Sequence, residues 1–248
     1  MSEEEISEDA LLGGRVRLTQ LAAGYRVAID PVLLAAAVPA RAGEQVLDVG
    51  TGVGAAALCL AMRVAGCRVA GLEVQRALVR LANDNAKLNG LDDRVVVMEG
   101  DLLRPPPRLA PGGFDHVMTN PPHLEPGRGT ASPSPGKSAA NVEGEAQLGA
   151  WIAFCLAMVR PKGSVAVIHR ADRLDAVLAA LYRKAGEIVV FPLWPMADGR
   201  DARRVIVRAR KDIETPTRLA QGLVLHRPDG RFTEAVEAIL RRGATLEL

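Results

Sequence analysis

The chain has 248 residues, 48% of them apolar, with 31 basic and 29 acidic side chains, so it can bury a full core and is not a disordered segment. No apolar run reaches the ~20 residues of a membrane span, and MSEEEISED lacks the basic and apolar parts of a signal peptide, which predicts a cytoplasmic protein without a membrane partner. Net charge is +2, but five of the acids fall within residues 1–9, leaving a mildly basic body that admits a polyanionic partner without requiring one.

Residues 1-10 are predicted as an acidic flexible tail and 11-248 as one domain, with a strand and helix preface at 11-43, a core at 44-211 and a C-terminal strand and helix at 212-248. In the preface RVRLTQ reads as a strand, and in GYRVAIDPVLLAAAVPA the pair Asp30 and Pro31 reads as a helix N-cap and first turn. EQVLDVG is a buried-strand pattern ending in a glycine turn, followed by the helix AAALCLAMRVAG, the strand CRVAGLE, the amphipathic helix VQRALVRLANDNAKLNG closed by Gly90, and the strand DRVVVMEGD. FDHVMTNPP is a fourth strand and GSVAVIHR a fifth; between them lies the helix GEAQLGAWIAFCLAMVRPKG, stopped by Pro161 and Gly163. The helix ADRLDAVLAALYRKAG follows.

This alternation demands a parallel sheet with helices on both faces. GEIVVFPLWP and ARRVIVRARK are separated only by MADGRD, too short for a helical crossover, so that pair is expected to be antiparallel. TRLAQGLVLHRPDGRFTEAVEAILRRGATLEL then reads as a strand, a PDG turn and a last amphipathic helix. From Pro121 to about Asn141 the chain is rich in Gly, Pro and Ser without a period, and its place after a strand's carboxyl end predicts a mobile lid.

Cys59, Cys67 and Cys155 sit in apolar stretches without CxxC spacing and read as buried reduced thiols. His116, His123, His169 and His226 lie far apart and form no ligand cluster, so no metal is assigned.

The first strand and turn read Val46-Leu47-Asp48-Val49-Gly50-Thr51-Gly52-Val53-Gly54, with glycines that let backbone pass close to a ligand. Gly50, Gly52 and Ala55 also satisfy a dinucleotide fingerprint, with Glu73 as the ribose acid, so a nicotinamide-dependent oxidoreductase is an alternative. Asp48 counts against it, because a carboxylate at the turn repels a pyrophosphate and suits a cationic ligand such as S-adenosylmethionine. Glu73 ends the second strand, where it can accept from both ribose hydroxyls, and Asp101 ends the third, where it can accept from an adenine amine while the Leu102 amide donates to a ring nitrogen. The fourth strand ends in Asn120-Pro121-Pro122-His123. Two prolines fix φ and remove two donors, so the Asn120 amide oxygen and the Pro121 carbonyl can hold one flat amine and steer its lone pair toward a methyl donor.

With these residues the chain resembles the class I S-adenosylmethionine-dependent methyltransferases, and within them the N-P-P-aromatic amino-methyltransferases. GYRVAIDPVLLA, VLDVGTGVG, Glu73, Asp101 and VMTNPP together look most like the bacterial adenine-N6 methyltransferases of valine tRNA, while the release-factor glutamine methyltransferases share the central motifs. The resemblance implies a Rossmann-like α/β fold with a seven-stranded, mostly parallel sheet whose last strand is antiparallel. It implies S-adenosylmethionine as cofactor, S-adenosylhomocysteine as product and tRNA as partner. A protein glutamine amide or a small-molecule amine are the alternative substrates, and an RNA-binding cofactor sensor without turnover is a further class. By position, Asp48, Gly50 and Gly52 line the methionine part, Glu73 the ribose, Asp101 and Leu102 the adenine, and Asn120 with Pro121 the target amine; Arg26 and Asp30 close over the methionine end. His123 departs from the pattern, which has Tyr, Phe or Trp there to stack on the substrate. Arg200, Arg203, Arg204, Arg208, Arg210 and Lys211 crowd the last strand pair, as an RNA surface or as the charged guard of a solvated edge strand.

Overall fold

Runs of Val, Ile and Leu bounded by glycine and proline become strands, and the alanine-rich runs between them become helices, so the chain builds a layered α/β domain. The computed structural model describes residues 6–22, 26–122 and 146–248. In chain order these hold β1 (Ile6–Leu11), β2 (Val16–Leu21), α1 (Asp30–Ala37), β3 (Gln45–Val49), α2 (Ala55–Arg63), β4 (Arg68–Glu73), α3 (Arg76–Leu88), β5 (Val95–Glu99) and β6 (Phe114–Thr119). The later elements are α4 (Leu148–Met158), β7 (Val159–Arg170), α5 (Leu174–Leu181), β8 (Ala185–Met196), β9 (Arg204–Lys211), β10 (Arg218–Leu219), β11 (Leu223–His226) and α6 (Glu234–Arg242).

The main sheet runs β5-β4-β3-β6-β7-β9-β8-β10, with β11 also paired to β8. β9 is antiparallel to both β7 and β8, as the short MADGRD connection requires, and the other pairings in this sheet are parallel. The sheet thus has the seven expected strands plus two short ones, which cover the backbone edge that β8 leaves open; Ala220 N donates to Val190 O at 2.8 Å there. One apolar layer packs α1, α2 and α6 on one face, and a second packs α4 and α5 on the other. Strand alternation sorts the residues: Val46 belongs to the first layer, and Leu47, with Val49 two residues on, to the second.

Three expectations are corrected. Residues 6–10 are not a flexible tail, because Ile6–Leu11 pairs antiparallel with Val16–Leu21 over six residue pairs in a separate two-stranded sheet. The helix expected to run to Pro161 stops at Met158, since a residue before proline disfavours helical backbone, and Val159 is already strand. Asp30 is the first residue of α1 and not its N-cap, and its carboxylate pairs instead with Arg204 on β9 at 2.9 Å.

Cys59, Cys67 and Cys155 are free and buried, and burial pushes the Cys59 thiol up to about 12. Among the described residues no helix is long and apolar enough to cross a membrane, and no group of His, Cys, Asp or Glu could hold a metal ion. The expected lid falls largely on residues 123–145, outside the described residues.

Candidate active site

The carboxyl ends of β6, β3, β4 and β5 lie side by side in the sheet, and each carries one of the predicted site motifs. Alternation along β3 turns Asp48 to the same face as Val46, toward α2. There its Oδ2 accepts from the Thr51 hydroxyl at 2.6 Å, and the Ala57 amide in the first turn of α2 adds a second hydrogen bond. Asp48 is 3% exposed, and burial pushes its carboxyl up to about 7 against the pull of these two donors. The expectation of a carboxylate open to a cationic ligand is therefore corrected: Asp48 lies beneath the turn and clamps it.

The rest of the turn is held amide by amide. Gly50 N and Thr51 N both donate to Leu72 O, at 2.8 and 3.2 Å, and Gly54 N donates to Thr51 O at 3.0 Å. Gly52 N donates to Glu73 Oε2 at 3.0 Å, which ties the turn to the end of β4. Gly50 and Gly52 both have positive φ, but their surroundings differ. A Cβ on Gly50 would lie 2.5 Å from the Trp151 indole of α4, whereas at Gly52 it would meet nothing within 4 Å.

Glu73 is 6% exposed, and its second oxygen accepts from Gln75 N at 2.9 Å. Burial pushes its carboxyl up, opposed by the amides of Gln75, Gly52 and Val74. Each oxygen keeps acceptor capacity beyond these amides. Asp101 is half-buried at the end of β5, where its Oδ1 accepts from Leu103 N at 2.9 Å, and Leu102 packs on the second apolar layer. Val74 and Leu103, which follow the two acids closely, are apolar and exposed.

On β6, Thr119 is fully buried and its hydroxyl donates to Val49 O at 2.8 Å, fastening the ends of β3 and β6 together. Asn120 follows directly. Its Oδ1 is buried and has no hydrogen-bond partner among the described residues, a condition that costs a protein about 1–3 kcal/mol when nothing fills it. Pro121 is buried and Pro122 half-buried beside it, while His123 lies outside the described residues.

Arg26 and Asp30 are not drawn into this row by their partners. Arg26 pairs with Asp9 of β1 at 2.8 Å, and Asp30 pairs with Arg204, two strands beyond β6. The basic cluster is also largely engaged within the chain. Arg200 pairs with Asp198 at 2.9 Å and Arg210 with Glu187 at 3.0 Å, while Lys211 Nζ donates to Val159 O at 3.1 Å. β9 is an interior strand, so the guarded-edge reading of these residues does not hold.

Residues 26–132 match the family model described as a methyltransferase small domain. A tRNA1(Val) (adenine(37)-N6)-methyltransferase of Porphyromonas gingivalis is 33% identical over 177 residues, 68% of this chain and 69% of that protein. The chain belongs to this methyltransferase family. The adenine-N6-methyltransferase of the same name from Aeromonas hydrophila is 28% identical over 84% of this chain and 86% of its own length. A release factor glutamine methyltransferase of Chlorobaculum tepidum matches 93 residues at 36% identity, 37% of this chain and 32% of that protein. Among solved structures, a predicted O-methyltransferase from Agrobacterium tumefaciens superposes with a TM-score of 0.73 over 88% of this chain and 98% of its own, at 23% identity. A geranyl diphosphate methyltransferase in complex with S-adenosylmethionine does so with a TM-score of 0.51, over 73% of this chain and 83% of its own, at 16% identity. These two establish the fold as Rossmann-like, and the family membership sets aside the oxidoreductase reading.

Sequence reasoning did not single out four residues that shape this row of strand ends: Thr51, Thr119, Trp151, and Asn85 of α3, whose Nδ2 donates to Val53 O at 3.0 Å. Thr51 left a trace in Gly71, where a Cβ would meet the Thr51 methyl at 2.8 Å; a glycine in the middle of a strand signals such a close approach. The contacts of the others span 32 to 101 residues of sequence and have no local signature.

Proposed function

We propose that the chain methylates the exocyclic amine of an adenine in tRNA, using S-adenosylmethionine. The observation that carries this reading is the buried acceptor of Asn120 at the end of β6, which has no partner among the described residues and stands next to the glycine turn on β3. A buried acceptor calls for a donor, and an amine is the donor whose lone pair the same contact can direct.

The residues fit the cofactor. At Gly52 the backbone is open where a side chain would stand, Glu73 offers spare acceptor capacity for two ribose hydroxyls, and Asp101 with the Leu102 amide offers an acceptor and a donor for adenine. Val74 and Leu103 supply exposed apolar surface for a flat base at the same strand ends. Asp48 acts through the turn it clamps, and we assign Arg26 and Asp30 to anchoring the N-terminal segment. When bound, S-adenosylmethionine supplies an electrophilic methyl on a sulfonium. Asn120 Oδ1 and the Pro121 carbonyl accept the two amine hydrogens, localise the nitrogen lone pair and hold it in line; the proton released on transfer leaves to water. Prolines at 121 and 122 keep that carbonyl fixed and offer no competing N–H.

The long match to adenine-N6-methyltransferases of tRNA, against the short match to the glutamine enzyme, supports RNA over a protein amide, and with that substrate we assign the protein to the cytoplasm. The test is transfer of labelled methyl from S-adenosylmethionine to tRNA from cells lacking this protein, with nucleoside digestion and mass spectrometry. Label in N6-methyladenosine is expected. Label absent from RNA but present in protein or small amines would overturn the substrate, and His123→Tyr would then be read on that substrate.

A further inference from the structure

Asn85 lies in the last turn of α3 and Asn89, four residues on, caps its carboxyl end, within a stretch whose pattern marks only an amphipathic helix. Both treat β2 as a neighbouring strand would. Asn85 Oδ1 accepts from Thr19 N at 2.8 Å and its Nδ2 donates to Thr19 O at 2.8 Å. Asn89 Oδ1 accepts from Arg17 N at 2.8 Å and its Nδ2 donates to Arg17 O at 2.7 Å. The spacings match: four helical residues rise about 6 Å, and two strand residues about 6.8 Å, so successive turns of α3 meet alternate residues of β2. The β1–β2 hairpin is thereby stitched to the helix by four hydrogen bonds.

Asn85 makes one bond that Asn89 does not. Its Nδ2 also donates to Val53 O at 3.0 Å, between Gly52 and Gly54 of the glycine turn. Asn85 is 1% exposed, and Ala82, one turn before it, sits 3.4 Å from where a Gly54 Cβ would be, so α3 leans on the turn at this point. A single amide group thus grips both the hairpin and the segment whose Gly52 amide reaches Glu73.

We propose that Asn85 is a positioning residue for the cofactor turn, which couples docking of the β1–β2 hairpin to cofactor binding. The inference rests on the reading that this turn faces the cofactor. If binding tightens the Gly52–Gly54 geometry that Asn85 holds, linkage requires that it also tightens the hold on Thr19. Asn89 has no bond to the turn and serves as the internal control.

The experiment uses the full chain and S-adenosylhomocysteine as the probe, with affinity from calorimetry and backbone exchange of Arg17 and Thr19 from hydrogen–deuterium exchange. Asn89→Ala is expected to loosen the hairpin yet leave affinity within about twofold. Asn85→Ala should weaken binding about tenfold, the size of one or two ordinary hydrogen bonds, and raise KM for S-adenosylmethionine while kcat at saturation stays within about twofold. The probe should slow exchange of the Thr19 amide in the parent and in Asn89→Ala but not in Asn85→Ala. Equal losses of affinity in both variants, or parental affinity in Asn85→Ala, would overturn the inference. Should Asn85→Ala fail to fold, the parent alone decides: a Thr19 amide indifferent to the probe rules the coupling out. A parent that does not bind the probe at all breaks the cofactor reading itself, an outcome distinct from the others.

Discussion

Replacing Asp48 by asparagine should change how stability depends on pH, and the direction follows from burial. An unfolded chain ionises this carboxyl near its ordinary value of about 4, whereas in the folded protein it is pushed up to about 7. Between those values the folded state holds a proton that the unfolded state has lost, so stability contributed by this site is complete below the lower value and declines as pH rises through the upper one. At about 1.4 kcal/mol per unit the decline totals about 4 kcal/mol, complete slightly above pH 7. Asparagine mimics the neutral carboxyl: its oxygen can accept from the Ala57 amide, and its NH2 can donate to the Thr51 hydroxyl, which rotates to receive it. Urea unfolding of the parent and of Asp48→Asn without cofactor, at pH 5, 6, 7 and 8, isolates the site, because Asp9, Asp115 and Asp172, whose carboxyls are held low by their partners, contribute equally to both curves. Asp48→Asn should already exceed the parent by about 1–2 kcal/mol at pH 5 and gain steadily on it, reaching up to about 4 kcal/mol at pH 8. Parallel profiles, or a parent more stable at pH 8, would refute the placement of a buried, proton-holding carboxyl beneath the turn.

Asn120→Ala should lower kcat at least about 100-fold while S-adenosylhomocysteine affinity by calorimetry stays within about twofold, and losing a buried acceptor that has no partner among the described residues should raise the unfolding free energy by about 1 kcal/mol. The two turn glycines should separate in paired stability and calorimetry measurements. Gly50→Ala drives a Cβ into Trp151 and should unfold the protein at markedly lower urea, whereas Gly52→Ala meets open space, costs about 1–2 kcal/mol for its backbone alone and loses chiefly cofactor affinity. Glu73→Gln replaces an acceptor beside the Gly52 or Gln75 amide with a donor, and should weaken S-adenosylhomocysteine binding about tenfold with kcat at saturation little changed.

The seven long strands and the antiparallel β8–β9 pair were legible because apolar runs and connection lengths are local signals. The strand-end positions of Glu73, Asp101 and Asn120 were legible for the same reason: each is the polar residue that ends a strand pattern. Asp48 was found at the right place with the wrong orientation, because a strand's alternation says which face a residue takes only once the neighbouring layers are known, and here the face is α2. β1 was hidden because its acids and serine give no apolar alternation; its pairing is set by β2 and by the polar cluster of Asp9, Gln20 and Arg26. Asp30 read as a cap because its partner, Arg204, stands 174 residues away. Asn85 and Asn89 looked like polar positions on an amphipathic helix, and nothing nearby in sequence marks an asparagine that faces a strand.

The bond from Thr119 to Val49 joins two territories that the chain fills in succession. The residues we assign to the methyl donor, from Asp48 to Leu102, all precede β6, and the amide and prolines we assign to the acceptor all follow it. Changes at the receiving end can therefore be made within the later segment, provided Trp151 of α4, which backs Gly50 from that side, is kept.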